Sequence, residues 1–333
     1  MRITDVDEIG IRLGRASYGV VAAAELAAAG VDPSVVRRLV ARGRWTRLWR
    51  GVYLTAAHAA GPAVLAHAAV KHAAQGPDRR GPAPEPVVSG LAGARALGMR
   101  WVPEGDQVQV LVGPHVQRPS HDQVLVRRTH DLADVVPWQW HGVRVADAAR
   151  LVVDGARECG SLRDVRGLVL GAVADAHTDP EALTKLLDNG AVGGTAWARR
   201  AVGDAVRGAA SPPEAELVDG LIGCGRPFYV NATLSLRGRL IGIADVYLVG
   251  TGVGGEMDSK EVHGDADRLD DTLVRHDVFT DADLTLAHVT PSRYRANPIA
   301  FHDRLFAAVA DRQRRGLGEP EGLVVTPRGP LLR

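Results

Sequence analysis

Residues 239–263 read Arg-Leu-Ile-Gly-Ile-Ala-Asp-Val-Tyr-Leu-Val-Gly-Thr-Gly-Val-Gly-Gly-Glu-Met-Asp-Ser-Lys-Glu-Val-His. A β-branched run carries one carboxylate, Asp245, and leads through a glycine-rich turn into a second run with Glu256, Asp258 and Lys260 at alternate positions. Alternate residues of a strand project to one face. If both runs are strands, three carboxylates gather on one side of a hairpin with one ammonium beside them. Such crowding is costly unless a cation is expected. A hard divalent ion such as Mg²⁺ takes carboxylate oxygens and retains waters, one of which can attack a phosphodiester. In that reading Asp245 and Glu256 are direct ligands, and Asp258 is a further ligand or a base. Lys260 stabilises charge on the scissile phosphate or orients the water. Glu214 completes the shell through water, and His263 is a general acid or base. The alternative is a surface hairpin whose acids pair with arginines.

The same unit opens at Ser211-Pro212-Pro213-Glu214, where Ser211 caps a helix to Ile222. Strands are expected at 228–236, 240–249, 256–259 and 284–289, and helices at 265–279 and 298–315, with a mobile tail after Gly316. Gly250, Gly252 and Gly255 match G-x-G-x-x-G, yet Glu256-Met257-Asp258 follows where a dinucleotide fold needs a helix N-terminus for a pyrophosphate. The dinucleotide reading is therefore rejected. The chain has three lysines against 37 arginines, which makes Lys260 beside paired acids unusual here.

At the other end, Arg37, Arg38, Arg42, Arg44, Arg47 and Arg50 fall in a stretch with no acid, although the formal net charge of the whole chain is only +1. Such a patch suits phosphate binding through counterion release. An Ala-rich helix is expected over Val20–Ala29. Asp32-Pro33 then starts a second helix with Val35, Val36, Leu39 and Val40 inward and the arginines outward. A hairpin follows, broken at Arg50-Gly51. This order is that of a winged helix-turn-helix, with DNA as partner. The plainer alternative is the solvated face of a surface helix.

Between these ends, Gln75–Pro86 reads as a loop or linker, followed by a capped helix from Ser89. Strands follow near 107–112, 123–128 and 142–145, and a helical run extends from Asp147 to Arg207 with breaks at Cys159-Gly160, Thr178-Asp179-Pro180 and Gly193-Gly194. The fold class is a multidomain α+β and α/β protein. Its parts are a winged helix-turn-helix over 1–60, an α+β and helical middle over 61–207, a restriction-endonuclease-like mixed sheet flanked by helices over 208–316, and a tail over 317–333. Two distant cysteines, Cys159 and Cys224, read as reduced core thiols, and no segment has the length of a membrane span, so the chain reads as a cytoplasmic protein.

Two resemblances attach to these residues. Residues 19–54, with Glu25-Leu26, Gly30-Val31, Gly43 and Trp49-Arg50-Gly51-Val52-Tyr53, resemble the winged N-terminal domain of AbiEi-type antitoxins of type IV toxin-antitoxin systems. Val88-Ser89-Gly90 and Leu97-Gly98 are similar to the continuation of such proteins. The resemblance implies a bacterial DNA-binding regulator and a nucleotidyltransferase toxin encoded nearby. Residues 211–310 resemble the nuclease-like domain related to very-short-patch-repair endonucleases of the PD-(D/E)XK superfamily. This second resemblance carries Glu214, Asp245, Glu256, Asp258 and His263 as site residues and implies Mg²⁺-dependent DNA cleavage. The sequence departs from the superfamily where a lysine is expected two residues after the acid: Asp258 stands there, with Lys260 a further two along. A regulator whose last domain binds nucleic acid or protein without cutting is the competing expectation.

Overall fold

The structure is a computed structural model that describes residues 2–55, 60–75, 85–121, 123–190, 193–258 and 277–333. It is a mixed α/β chain of two units, Met1–Leu168 with Asp175–Thr195, and Val169–Ala174 with Ala196–Arg333.

The first unit opens with α1 (Ile3–Gly14), β1 (Val20–Ala22), α2 (Ala23–Ala28), α3 (Pro33–Ala41), β2 (Trp45–Trp49) and β3 (Val52–Thr55). The expected helix over Val20–Ala29 is corrected at its start. Val20 and Val21 are β-branched and pair with Leu54 and Tyr53 of β3, so the helix waits until Ala23. Glu25 then caps α2 by accepting the Ala22 amide at 2.7 Å. Asp32 caps α3 by accepting the Ser34 amide at 2.7 Å, and this bond lowers its pKa, with Arg37 and Arg38 adding to the effect. Val35, Val36 and Leu39 turn into a core with Leu26, Val31 and Trp45. The sheet order is β1-β3-β2, and the β2–β3 turn uses Gly51 at φ +77°.

Helix α1, absent from the sequence reading, is what closes this domain. Its Asp7 is only 5% exposed, accepts the Trp45 indole N–H at 2.7 Å and pairs with Arg44. One turn on, Gly10 allows the Trp45 ring to lie against the helix; a Cβ there would stand 2.2 Å from a ring carbon.

The middle continues the first unit with α4 (Pro62–Ala74), β4 (Val87–Ser89), α5 (Gly90–Ala96), β5 (Val108–Val112), β6 (Val124–Arg128), β7 (Trp138–Trp140), β8 (Val143–Val145), α6 (Ala148–Ala156), α7 (Leu162–Ala174) and α8 (Pro180–Asn189). Residues of α7 from Val169 on group with the second unit. The sheet runs β6-β5-β4-β8-β7, with β5 and β6 parallel. The winged part and the middle form one compact unit, tied by Trp49 Nε1 to Gln123 Oε1 at 2.8 Å, Tyr18 Oη to His141 Nδ1 at 2.7 Å, and a Lys71–Glu25 ion pair. The two cysteines are free but half-buried rather than core residues.

The second unit holds α9 (Ala196–Val206), α10 (Pro212–Leu221), β9 (Phe228–Leu236), β10 (Arg239–Leu248), β11 (Val253–Met257), β12 (Thr285–Val289), α11 (Pro291–Ala296), α12 (Pro298–Arg314) and β13 (Leu323–Thr326). The sheet order is β12-β11-β10-β9-β13, antiparallel except between β11 and β12. Strand β11 begins at Val253, earlier than expected, because Gly254 and Gly255 lie inside the sheet instead of in the turn. A Cβ on Gly254 would stand 3.0 Å from the Ala244 Cβ, and one on Gly255 would stand 2.9 Å from Val246 Cγ2 and 3.1 Å from the Phe301 ring. The expectation of a mobile tail is also corrected. Val324 and Val325 pair with Ser235 and Leu234 on the outer edge of β9, and Leu332 exchanges two 3.0 Å hydrogen bonds with Phe228. Most of the helix expected over 265–279 lies outside the described residues; residues 277–280 are helical.

Replacing Asp7 with Ala strands the buried indole N–H of Trp45 and removes the Arg44 partner. The expected cost is about 2 kcal/mol of stability, read from urea unfolding, with tryptophan fluorescence reporting the loss in the N-terminal domain.

Candidate nucleic-acid interface and carboxylate–histidine cluster

Two places in the chain carry charge in an arrangement that packing alone does not require. The first is the N-terminal basic face. Because Val35, Val36 and Leu39 point inward, the helical period puts Arg37 and Arg38 on the solvent side of α3, where both are exposed, and Arg42 is exposed just beyond its end. Arg47 is exposed on β2, and Arg50 sits at the hairpin turn. The expectation that no acid lies near these arginines holds in sequence but not in space. Arg44 pairs with Asp7, brought by α1 from 37 residues away, so its guanidinium is partly committed to the domain itself. Arg50 presents its backbone carbonyl to Arg118 Nη2 at 3.3 Å.

The second place is the sheet face of the C-terminal unit. The antiparallel register pairs Val246 with Gly255, so the next step sets Asp245 across from Glu256. The parallel register pairs Glu256 with His288. Asp245 also falls between the pairs Ala244–Ala232 and Val246–Val230, across from Asn231. Polar residues therefore stand on adjacent strands from β9 to β12, although Asn231, at φ +45°, sends its side chain to Glu214 and Gly208. Asp258 follows on the same alternation as Glu256, its amide donating to the Val289 carbonyl at 2.8 Å. His288 Nδ1 is 3.2 Å from an Asp258 oxygen and 3.9 Å from a Glu256 oxygen. Among the described residues, Glu256, Asp258 and His288 each offer a ligand atom, all within 4.8 Å of one another. Asp245 stands beside this trio, its carboxylate accepting the Met257 amide at 2.7 Å. Arg304 of α12 donates to the His288 carbonyl at 2.9 Å and fixes that end of β12 from outside.

The sequence reading named Asp245, Glu256 and Asp258 and missed His288. The available signal was slight: a polar residue two places after Leu286, on the same face of an expected strand where the pattern calls for an apolar one. Lys260 and His263 lie outside the described residues. Glu214 has a different place from the one expected. Its Oε1 accepts the Ser211 hydroxyl at 2.6 Å, and its Oε2 accepts the Ala210 amide at 2.8 Å and Asn231 Nδ2 at 2.5 Å. It braces the start of α10, where Ser211 Oγ accepts the Glu214 amide, and pins β9, because the S-x-x-E spacing serves the helix end first.

Set against known proteins, residues 12–56 match the family described as transcriptional regulator, AbiEi antitoxin. This supports an AbiEi-type N-terminal domain; the match ends before the middle of the first unit and does not reach the C-terminal sheet. Among curated proteins nothing matches. A solved structure, the crystal structure of the RV2827C protein from Mycobacterium tuberculosis, is similar at 20% identity with a TM-score of 0.40, covering 65% of this chain and 82% of that one. Among the described residues no helix is long and apolar enough to cross a membrane.

Changing Glu214 to Ala removes the brace at the start of α10 and the anchor of Asn231 together. The expected loss is about 1–2 kcal/mol in the unfolding of the second unit, read from thermal denaturation followed by circular dichroism.

Proposed function

We propose that the chain is a DNA-binding regulator of antitoxin type whose C-terminal unit is a restriction-endonuclease-like, metal-dependent nuclease module. The observation that carries the first part is the basic, solvent-facing side of α3 together with the arginine hairpin, in the segment that matches a family of transcriptional regulators. In this reading α3 enters the major groove with Arg37 and Arg38 toward base edges and phosphates, and Arg42, Arg47 and Arg50 hold the flanking backbone. Arg44, braced by Asp7, orients the hairpin as well as adding charge. A nucleotidyltransferase toxin encoded by a neighbouring gene is the protein partner this reading implies.

The observation that favours the nuclease reading is the convergence of Glu256, Asp258 and His288, with Asp245 across the sheet from Glu256. Carboxylates with one imidazole suit Mg²⁺ or Mn²⁺, with Mn²⁺ accepting the nitrogen more readily. When bound, the ion supplies a polarised water and neutralises charge on a phosphodiester. The chain's own part is to hold the acids close together. The Met257 amide fixes Asp245, and His288 lies where it can take or give a proton at Nδ1. Asp258, more exposed than Glu256, faces the side from which substrate would come. A purely regulatory protein with an inactive last unit is the rival.

Arg37→Ala, Arg38→Ala and Arg42→Ala together are expected to abolish binding to the chain's own promoter DNA. The wild-type affinity should fall steeply with salt, with a shallower slope in single variants, measured by fluorescence anisotropy. Unchanged affinity at moderate salt overturns the DNA-binding face.

For the C-terminal unit, calorimetric titration with Mn²⁺ is expected to show one site that Glu256→Gln and His288→Ala each weaken at least tenfold. Incubation of DNA with the chain and Mg²⁺ should give cleavage that Asp245→Ala and Glu256→Ala remove. Cleavage persisting in both variants overturns the site, and absence of cleavage with the metal bound favours the regulatory rival.

A further inference from the structure

The middle of the first unit contains a cleft that neither the basic helix nor the carboxylate cluster uses. It has a volume of about 620 Å³, within the ordinary range for small-ligand pockets, and opens beyond the C-terminal ends of the parallel strands β5 and β6. Its charged wall comes from two elements. Arg127 and Arg128 end β6, while Arg150 and Asp154 lie four residues apart on α6 and Arg157 caps its C-terminal end three residues on. The lining also includes Leu111, beside Arg127 on the neighbouring strand, Val153 of α6, and Leu186 of α8, so apolar atoms lie among the charged groups.

The charged cluster is built, not incidental. Asp154 is buried, and its carboxylate accepts Ser89 Oγ at 2.8 Å, Arg150 Nε at 2.8 Å and Arg157 Nη1 at 3.3 Å. Arg150 Nη1 also donates to Asp131 at 2.7 Å. Burial works against the charge of Asp131, but the Thr129 hydroxyl and Arg150 outweigh it and hold its carboxyl below the usual range. Arg127 is oriented by Gln109, whose Oε1 accepts its Nε at 2.7 Å. Four guanidiniums thus share the cleft with two aspartates. At Arg157 burial lowers the pKa, the neighbouring Asp154 carboxylate works the other way, and the like charges of Arg127 and Arg150 add smaller contributions to the lowering. An incoming dianion would relieve the repulsion with the bidentate geometry that guanidinium favours.

We propose that this cleft binds a nucleoside phosphate: the phosphate on Arg127, Arg128 and Arg157, the base against Leu111, Val153 and Leu186, and the sugar hydroxyls toward Asp131. A nucleotide uses all three kinds of lining. Bare phosphate would leave the apolar atoms uncovered. Duplex DNA presents its phosphates on a convex surface and does not fill a concave cleft of this size. Asp131, with a side chain 46% exposed, is an acceptor that a sugar hydroxyl reaches and a phosphate avoids.

Isothermal titration calorimetry on the full chain tests this, using the four ribonucleoside monophosphates, ATP, adenosine, inorganic phosphate and a short duplex. The expected result is one site for at least one nucleotide, with the matching nucleoside and inorganic phosphate each binding at least tenfold more weakly. Arg127→Gln with Arg128→Gln should raise the Kd tenfold or more. Asn189→Trp, an exposed change at the cleft lining, should block binding without touching the charge network. Both variants should keep the wild-type melting temperature, which separates a lost site from a lost fold. Absence of nucleotide binding at millimolar concentration overturns the proposal, as does binding that both variants leave intact. Inorganic phosphate binding as tightly as any nucleotide also overturns it, as does an affinity for duplex alone that the variants abolish.

Discussion

Strand register decides where every charged group of the C-terminal unit ends up, and the register of β11 is the constraint on which the rest of that unit depends. Gly254 and Gly255 let the strand run hard against Ala244, Val246 and Phe301, closer than any side chain would allow. With β11 seated there, the Met257 amide meets the Asp245 carboxylate and Glu256 faces His288. A slip of one residue would turn Glu256 toward the core and Met257 toward the polar face. The packing of two residues without side chains thus fixes the position of residues whose side chains carry the chemistry.

The first unit obeys a related rule by different means: a charge is drawn inward only where neighbours of opposite charge or suitable donors receive it. Asp7 goes in because an indole N–H and a guanidinium meet it. Asp154 goes in because Ser89, Arg150 and Arg157 surround it. Each buried acid in turn locks an arginine at a surface, Arg44 at the hairpin and Arg150 and Arg157 in the cleft. Removing one partner from such a set leaves the other buried and uncompensated, and that is far more destabilising than the pair was stabilising.

Local readings succeeded where the cause was local. The Asp32-Pro33 start of α3, the glycine at the hairpin and the breaks of the helical run near Cys159, Pro180 and Gly193 are all found close to where the sequence puts them. The strand limits Phe228–Leu236 agree fully, since an alternating apolar pattern there has one solution. Failures arose where a distant partner decided. Val20 and Val21 become strand because β3 is available to pair with them. The tail becomes β13 because β9 has an open edge. Glu214 was read for its charge, yet its position three residues after Ser211 commits it to the helix end.

The sequence by itself determined that the chain has a basic helix-and-hairpin segment, a middle of mixed strands and helices, and a C-terminal hairpin rich in carboxylates, because these follow from residue type and period along a few turns of chain. The tertiary structure alone decided that His288 joins Glu256 and Asp258, that Asp7 claims Arg44, and that arginines from β6 and α6 enclose one cleft. Those meetings join residues up to 37 positions apart in the sequence, as between Asp7 and Arg44. Sequence period says which face a side chain takes on its own element; only the pairing of elements says what stands opposite.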